Sequence, residues 1–599
     1  MWFIWSLALL LAYLLGSTAL SLANNYAAAR KTGLPLVISP VSKLNPLWLV
    51  VQRRLAPWMR RNLPAPLTSW TRHNTLSWFF DDKYALFADL GSRSWLHVTP
   101  RELEFHCADP AVNAQVFGRR ADFDKPADVL HLVDIYGPNI SSVTGAEWRR
   151  HRRVTASPFN ERNNRRVWDE ALRQAAQAGA CWSGRGAEGF NTTAVDTVAV
   201  SLNILATAAL GESWDFRPAH DASENEKHGT QGGGVQAASS YRESLHVLLS
   251  SIRTLVVMPK WVYRLPGWCI PSGYLSRFVE THRVFGRHME EMVRQRKADI
   301  ASGDMRTDDS TFLSALVLKS EEVRREEEAG KGGGGGGGGG GARASLSNDE
   351  LYGNLFTYNL AGHETTANTL SFAIYLLAAF PEWQEWVREE VDAVYTVSAD
   401  GQVNTAYEDV FPNLKRCRAF LFETLRFYAP VLSINKATVG PHGQELLIDG
   451  RSVLLPPGTT VAPNVIASHT MPEHWGEDHM VFRPGRWIDQ PGDVASEVLL
   501  DLPTSVREKT TSSDGKGITF FPWSSGGRVC PGKKFSQVEV LAVISSVLRD
   551  YRIEVVPEGL ETEEQARKRC LAVIEDSETQ ITLQMRRPDT VFLRAVRRA

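Results

Sequence analysis

The stretch FFPWSSGGRVCPGKKFSQVEV, residues 520–540, leaves the chain few ways to fold. Gly526 and Gly527 permit a tight turn that brings backbone amides close to a neighbouring atom, and Gly532 permits a second close approach where a helix begins. Phe535, Val538, Leu541, Ile544 and Leu548 recur at helical spacing, so that helix presents one apolar face to a core. Cys530 therefore stands at a helix N-terminus, where the dipole and unpaired N–H groups favour the thiolate, the metal-binding form of the side chain. The six cysteines, Cys107, Cys181, Cys269, Cys417, Cys530 and Cys570, are scattered without a C-x-x-C pair. That distribution fits a reducing compartment and excludes a multi-cysteine zinc ribbon or iron–sulfur cluster. Cysteine chemistry here must rest on one residue.

Residues 2–23 carry no charge and are long enough, at ~1.5 Å per residue, to cross a ~30 Å hydrocarbon layer. No Lys or Arg precedes them, whereas Arg30 and Lys31 follow. This predicts a retained single-pass anchor rather than a cleaved signal, with the bulk of the protein on the cytoplasmic side. Residues 24–84 read as an interfacial or linker segment, in which Trp48, Arg53, Arg54, Trp58, Arg60 and Arg61 rest at headgroup depth. A net charge of −2 over 599 residues gives no sign of a nucleic-acid partner, and a chain 43% hydrophobic and 22% charged suits a large core.

Helical periodicity dominates the remainder and predicts helices over 145–157, 160–179, 240–256, 274–300, 347–379, 382–395, 413–428 and 532–550. Strand-like pieces are short, near 95–106, 445–465 and 571–595. The expected fold class is mainly α with a minor β region. Residues 320–345 form a charged run followed by ten glycines, Gly332 to Gly341, which predicts a flexible insertion over 329–345; residues 222–240 read as a second surface loop. The glycine run satisfies G-x-G-x-x-G trivially, and no such fingerprint follows a strand elsewhere.

Three further stretches carry chemistry. AGHETTANTL, residues 361–370, begins like the zinc signature H-E-x-x-H, but Ala367 stands where the second histidine is required. In ETLR, Glu423 and Arg426 lie three apart on one helix face among Phe420, Leu421, Phe422, Leu425, Phe427 and Tyr428, which leaves almost no solvent face. A buried ion pair needs further hydrogen bonds to offset desolvation. In EWRRHRR, Trp148 and Arg152 lie one helical turn apart within a basic run.

These segments, in this order, resemble the cytochrome P-450 family. The signature F-x-x-G-x-R-x-C-x-G is filled by Trp523, Gly526, Arg528, Cys530 and Gly532, with Trp523 in place of phenylalanine. The resemblance implies the cytochrome P-450 fold over residues 85–599, haem as cofactor, Cys530 as its axial thiolate, and Arg528, Trp148 and Arg152 at the haem propionates. A cysteine thiolate pushes electron density onto iron and favours O–O cleavage. By the same resemblance Lys436 and His469 stand at further propionate positions, and Arg486 of FRPGRW joins the Glu423–Arg426 pair although Gly485 replaces the usual glutamate. AGHETT matches the distal helix: Gly362 would let substrate or O2 approach, and Glu364 and Thr365 would hold water and deliver protons. Residues 133–141, 356–361, 431–433 and the turn near Glu575 would line the substrate pocket.

The implied function is a haem-thiolate monooxygenase of the microsomal type. It would insert one O2 atom into a lipophilic small molecule, a terpenoid or polyketide intermediate of secondary metabolism, with electrons from a separate NADPH-dependent flavin reductase. The implied location is the endoplasmic-reticulum membrane. Alternatives are a haem-thiolate isomerase or dehydratase working without O2 or reductase, which Glu364 and Thr365 argue against, and a non-catalytic membrane haem-binding protein.

Overall fold

The computed structural model describes residues 2–126, 134–218, 241–251, 254–255, 258–270, 273–302, 311–328, 345–510 and 517–598. The longer helices are, in chain order, α1 (Trp2–Arg30), α2 (Pro46–Asn62), α3 (Pro110–Gly118), α4 (Gly145–Thr155), α5 (Glu161–Gly184), α6 (Thr193–Leu210), α7 (Tyr241–Ser250), α8 (Tyr274–Ser302), α9 (Phe312–Glu328), α10 (Asn348–Ala379), α11 (Pro381–Val394), α12 (Lys415–Phe427), α13 (Lys533–Asp550) and α14 (Glu563–Glu575). Every periodic segment named above overlaps one of them, although α5 and α8 run on past the expected ends. Helix α6 escaped the periodicity because it is apolar on nearly every side; it has the length and hydropathy to cross a membrane but is buried against α5 and α10.

Two sequence expectations need correction. The charged run at 320–328 is the end of α9, not a connector. Its apolar face (Leu313, Leu316, Val317, Val323) is buried, and Arg324 pairs with Glu321 and Glu328 one turn away on either side. The glycine run and residues 222–240 lie outside the described residues. Residues 571–575 are likewise helical, ending α14, whose first turn is closed by a reciprocal Thr562–Gln565 cap.

Strands β1 (Leu36–Ile38), β2 (Ser94–Val98), β3 (Leu103–Cys107), β4 (Phe123–Asp124), β5 (Lys436–Thr438), β6 (Gln444–Ile448), β7 (Arg451–Leu455) and β8 (Thr460–Pro463) precede a late hairpin, β9 (Ser577–Thr579) and β10 (Leu583–Met585). The main sheet runs β1-β2-β3-β8-β5-β4. Its far edge matters for the site: β4 lies antiparallel to β5, with Asp124 opposite Ala437.

Residues 24–84, expected as an interfacial or linker stretch, are packed into this body. β1 pairs in parallel with β2, Asn25 Nδ2 donates to the Thr99 carbonyl at 2.8 Å, and Trp78, Phe80 and Phe87 are fully buried in the main core. Trp48 is buried too, its indole N–H donating to Asn74 O at 2.6 Å, while Leu47, Val50 and Trp58 on the same helix stay exposed. Beneath this segment Lys43 Nζ meets Glu104 Oε1 at 2.7 Å, and Glu104 Oε2 faces His97 Nδ1 at 3.5 Å and His106 Nε2 at 3.3 Å. Against the cost of burial, Lys43 and the histidines hold the Glu104 carboxyl well below its ordinary range. The Lys43 ammonium supplies the positive charge that Glu104 meets.

Candidate active site

The scaffold of the site is an ion cluster at the end of α12. Glu423 and Arg426 are completely buried and meet in a fork, Nη2 to Oε1 at 2.8 Å and Nε to Oε2 at 2.9 Å. Arg426 also donates to the carbonyls of His469 (3.1 Å), His479 (2.6 Å) and Val481 (3.0 Å). Glu423 accepts from Arg486 Nε at 3.1 Å, the Trp487 indole at 2.9 Å and the Arg483 amide at 2.9 Å. Burial alone would push the Glu423 carboxyl up, yet the arginines hold it below its ordinary value. The further hydrogen bonds that a buried pair requires are all present, and Arg486 joins the cluster despite Gly485.

This cluster fixes the segment that leads to Cys530. Gly526 has φ +66°, and a Cβ there would lie 2.4 Å from the Phe117 carbonyl oxygen, so only glycine fits. The loop closes with the Cys530 amide donating to Trp523 O at 2.9 Å, and the Trp523 indole donates to Ser536 Oγ at 3.0 Å on α13. Cys530 is exposed, although protein surrounds it on nearly every side, so the residue borders an opening enclosed by the chain. The expected thiolate preference is not met by position alone. Burial pushes the Cys530 thiol up, and the Gly532 amide and Arg152 offset this only in part.

Beside the cysteine loop lies a cluster of unmatched positive charge. Arg528 Nη2 reaches Asp124 Oδ1 at 2.8 Å and donates to Val143 O at 3.1 Å, but its Nε and Nη1 are buried without a hydrogen-bond partner among the described residues. The guanidinium groups of Arg120 and Arg528 stack over the Trp148 indole at 4.5 and 4.8 Å. Lys436 on β5 is buried, and burial with Arg528 nearby pulls its pKa down to about 8. Lys125 donates to Ser141 O at 2.7 Å; burial, Arg528 and Lys436 pull it to about 7. Among the described residues Asp124 is the one carboxylate set against Lys125, Lys436 and Arg528, and Arg120 and Arg152 have no ion pair. Uncompensated buried cations are costly, so this arrangement calls for an anion.

The structure thus gathers Trp148, Lys436 and Arg528, as expected. It adds Arg120, Asp124 and Lys125, which the sequence reading missed; the charge density of RRADFDK was the available signal, but its pairing partner β5 lies three hundred residues on. His469 is different. It is buried between the rings of Phe520 and Phe521, Nε2 accepts the Phe521 amide at 3.1 Å, and burial pulls its pKa down to about 3. It braces the cysteine segment as a neutral ring.

The opposite wall is α10. Ala361 is exposed in mid-helix, where the flanking Phe356 and Ala367 are buried, so the helix opens onto space at this turn. Thr365 Oγ1 donates to Ala361 O at 2.8 Å, leaving its oxygen lone pairs to accept. Glu364 Oε1 accepts from Thr582 Oγ1 at 2.7 Å, and burial raises its pKa. Tyr358, one turn earlier, senses both Arg152 and Cys530, which ties this wall to the cysteine loop. Gly362 does not serve the role expected of it: a Cβ there would lie 3.3 Å from Leu205 Cδ1, so the glycine lets α6 pack against α10. Of the expected pocket-lining pieces, Val431 is exposed, Glu575 is tied to Tyr428 (2.7 Å) and Lys83 (3.1 Å), and residue 133 lies outside the described residues.

An exposed cysteine enclosed by protein, a cluster of cations with a single carboxylate and a helix tied to the cysteine loop through Tyr358 fit an iron porphyrin with two propionates. The Cytochrome P450 family model matches residues 108–583, and the chain belongs to that family. It is a haem-dependent monooxygenase with a haem-thiolate cofactor, acting on a small molecule with O2 and a redox partner. Among its relatives is the phomenoic acid biosynthesis cluster cytochrome P450 monooxygenase of Leptosphaeria maculans, 27% identical over 572 residues and covering 89% of each chain. Cytochrome P450 monooxygenase prx9 of Penicillium rubens is 28% identical over 555 residues, 90% of this chain and 89% of that one. The 11-oxo-beta-amyrin 30-oxidase of Glycyrrhiza uralensis is 23% identical over 470 residues, 78% of this chain and 76% of that one.

Proposed function

We propose that this chain inserts one atom of O2 into a lipophilic terpenoid or polyketide intermediate of secondary metabolism. Cys530 would hold haem iron through its thiolate, and the observation that carries this is an exposed cysteine enclosed by protein beside five cations with a single acid. Arg528, Lys436 and Lys125 would hold the propionates, with Arg152, Arg120 and the Trp148 indole beside them; His469 would act at one remove, through the segment it braces. The bound haem supplies O2 activation and one-electron chemistry. Glu364 holds and releases a proton at its carboxylate, and Thr365 Oγ1, its own hydrogen turned to Ala361 O, accepts a hydrogen bond from water. One relative is named for phomenoic acid biosynthesis and another for oxidation of 11-oxo-beta-amyrin, which supports an apolar carbon skeleton as substrate.

Electrons come from a separate NADPH-dependent flavin reductase. Of the basic residues near the cysteine loop, Arg150, Arg153 and Lys534 already pair with Glu350, Glu326 and Glu161, so the exposed Arg149 and Lys533 are the better candidates to meet an acidic partner. Exposure of Trp5, Leu9, Leu10, Leu14 and Leu15 on α1 supports residues 2–23 as a single-pass anchor in the endoplasmic-reticulum membrane, with the catalytic body on the cytoplasmic side. The reduced, carbon-monoxide-bound protein is expected to show the red-shifted absorption of a thiolate-ligated haem, and C530A to abolish it. An unshifted band in folded wild type overturns the reading. Product analysis after coexpression with a reductase then identifies the substrate.

A further inference from the structure

The acid on α10 is held by a residue more than two hundred positions away. Thr582 Oγ1 donates to Glu364 Oε1 at 2.7 Å and accepts the Asn368 amide N–H at 2.8 Å, so one hydroxyl has both directions of its hydrogen bonding assigned. Thr582 is buried on the tight turn between β9 and β10, where the Gln580 amide donates to Thr582 O at 3.1 Å. The next amide, Leu583 N–H, donates to Pro430 O at 2.9 Å and pins the turn beyond the end of α12. Thr582 is therefore fixed before Glu364 meets it.

Glu364 and Asn368 are one turn apart on a face of α10 about 100° from the face of Thr365. On that face a cavity of about 450 Å³ adjoins the carboxyl, walled by Val195 and Val198 of α6, Leu249 of α7, Ser371 of α10, and Gln584 of β10. Among the described residues its lining holds two titratable groups, Glu364 and His363, and no lysine, arginine or second acid. Burial raises the Glu364 pKa, opposed by the hydrogen bonds from Thr582 and by no neighbouring charge. A lone carboxyl, held by one hydroxyl at the end of an uncharged, partly polar cavity, is placed to exchange its proton with water there.

We infer that this cavity is the water inlet from which Glu364 is reprotonated, and that Thr582, with Asn368 behind it, is the positioning residue that sets the carboxylate between the inlet and the Thr365 side of the helix. The inference rests on the proton-delivery role proposed for Glu364. In each cycle a proton passes from cavity water to a Glu364 carboxylate oxygen and from there toward the Thr365 side. The water is restored from bulk solvent, and no oxidant or reductant is consumed in the transfer.

The test uses the full-length holoenzyme. The infrared carbonyl stretch of protonated Glu364, assigned by its loss in E364Q, is titrated against pH in wild type, T582V and T582S. Loss of a hydrogen bond to the charged form moves the midpoint up in T582V, and T582S restores it. Peroxide released per product formed is expected to rise about tenfold in T582V, the size of one lost hydrogen bond to a charged group, and to return in T582S. V195W, which narrows the cavity from α6, is expected to leave the Glu364 midpoint in place while raising peroxide release. An unchanged midpoint in T582V, equal damage in T582V and T582S, or unaltered peroxide release in V195W overturns the inference. Loss of the thiolate-haem absorption in wild type would instead overturn the functional reading on which it rests.

Discussion

The Glu423–Arg426–Arg486 cluster and the cation cluster around Arg528 are both charged and both enclosed, yet they are resolved in opposite ways. In the first, two arginines share a glutamate whose oxygens also take an indole and a backbone N–H, and Arg426 spends its remaining donors on three carbonyls. In the second, Arg528, Lys125 and Lys436 share the single carboxylate of Asp124, and two buried Arg528 donors have nothing to bond. A buried charge that is satisfied by the chain defines structure. One that is not satisfied marks the outline of something the chain binds.

The sharpest way to break this contrast is to unbalance the first cluster. E423Q keeps the shape but removes the charge that Arg426 and Arg486 share, leaving the buried Arg426 guanidinium without its ion-pair partner while Arg486 keeps only the partly exposed Asp478. The expected cost is about 3–5 kcal/mol, the range for removing one partner of a buried pair. Denaturant unfolding of the holoprotein reads this directly, and a loss within the range of a surface pair would show that the cluster is not structural. R528M should do the reverse. It removes an unmatched cation, so the haem-free protein is expected to keep or gain stability, while haem retention weakens about tenfold to a hundredfold through loss of a charge-assisted bond of about 1.5–3 kcal/mol. Haem transfer to an acceptor protein measures the second effect and thermal unfolding of the haem-free form the first. Parallel losses in both would erase the distinction.

The two clusters also differ in how far the sequence announces them. Glu423 and Arg426 are three residues apart in an apolar helix, and Gly526 to Gly532 form one short loop, so their chemistry is written locally. The helices were legible for the same reason, wherever one face is polar. Helix α6 was not, because an all-apolar segment has no stripe, and the charged end of α9 was misread because its buried face is narrow. Arg120, Asp124 and Lys125 gain their meaning only when β4 meets β5, and Thr582 only when the β9–β10 turn reaches α10. Neither contact has a local signature. Gly362 shows the converse limit: a motif marked the position, but only packing showed that its empty side faces Leu205.

The smallest expected effect tests the cation cluster without mutating the scaffold. In the haem-free protein Lys125 and Lys436 have pKa values of about 7 and about 8, below the 10.5 of an ordinary lysine. Between those folded values and 10.5 the unfolded chain binds more protons than the folded one, so stability rises with pH across that window. Below about pH 7 both lysines are charged in either state, and their cost to the fold is present in full. Two propionates would give the ammonium groups their missing counter-charges and return both pKa values toward the ordinary one. The slope contributed by the lysines should then disappear. Melting temperatures of the haem-free protein are expected to rise from pH 7 to pH 9.5 relative to those of the loaded protein, and K125M with K436M should remove the difference. Buried groups elsewhere, such as Glu539 with its pKa pushed up to about 8, act equally in both forms and cancel. Two pH profiles that run parallel would mean that the propionates do not meet these lysines, and the cluster would lose its claim to be the anion half of the site.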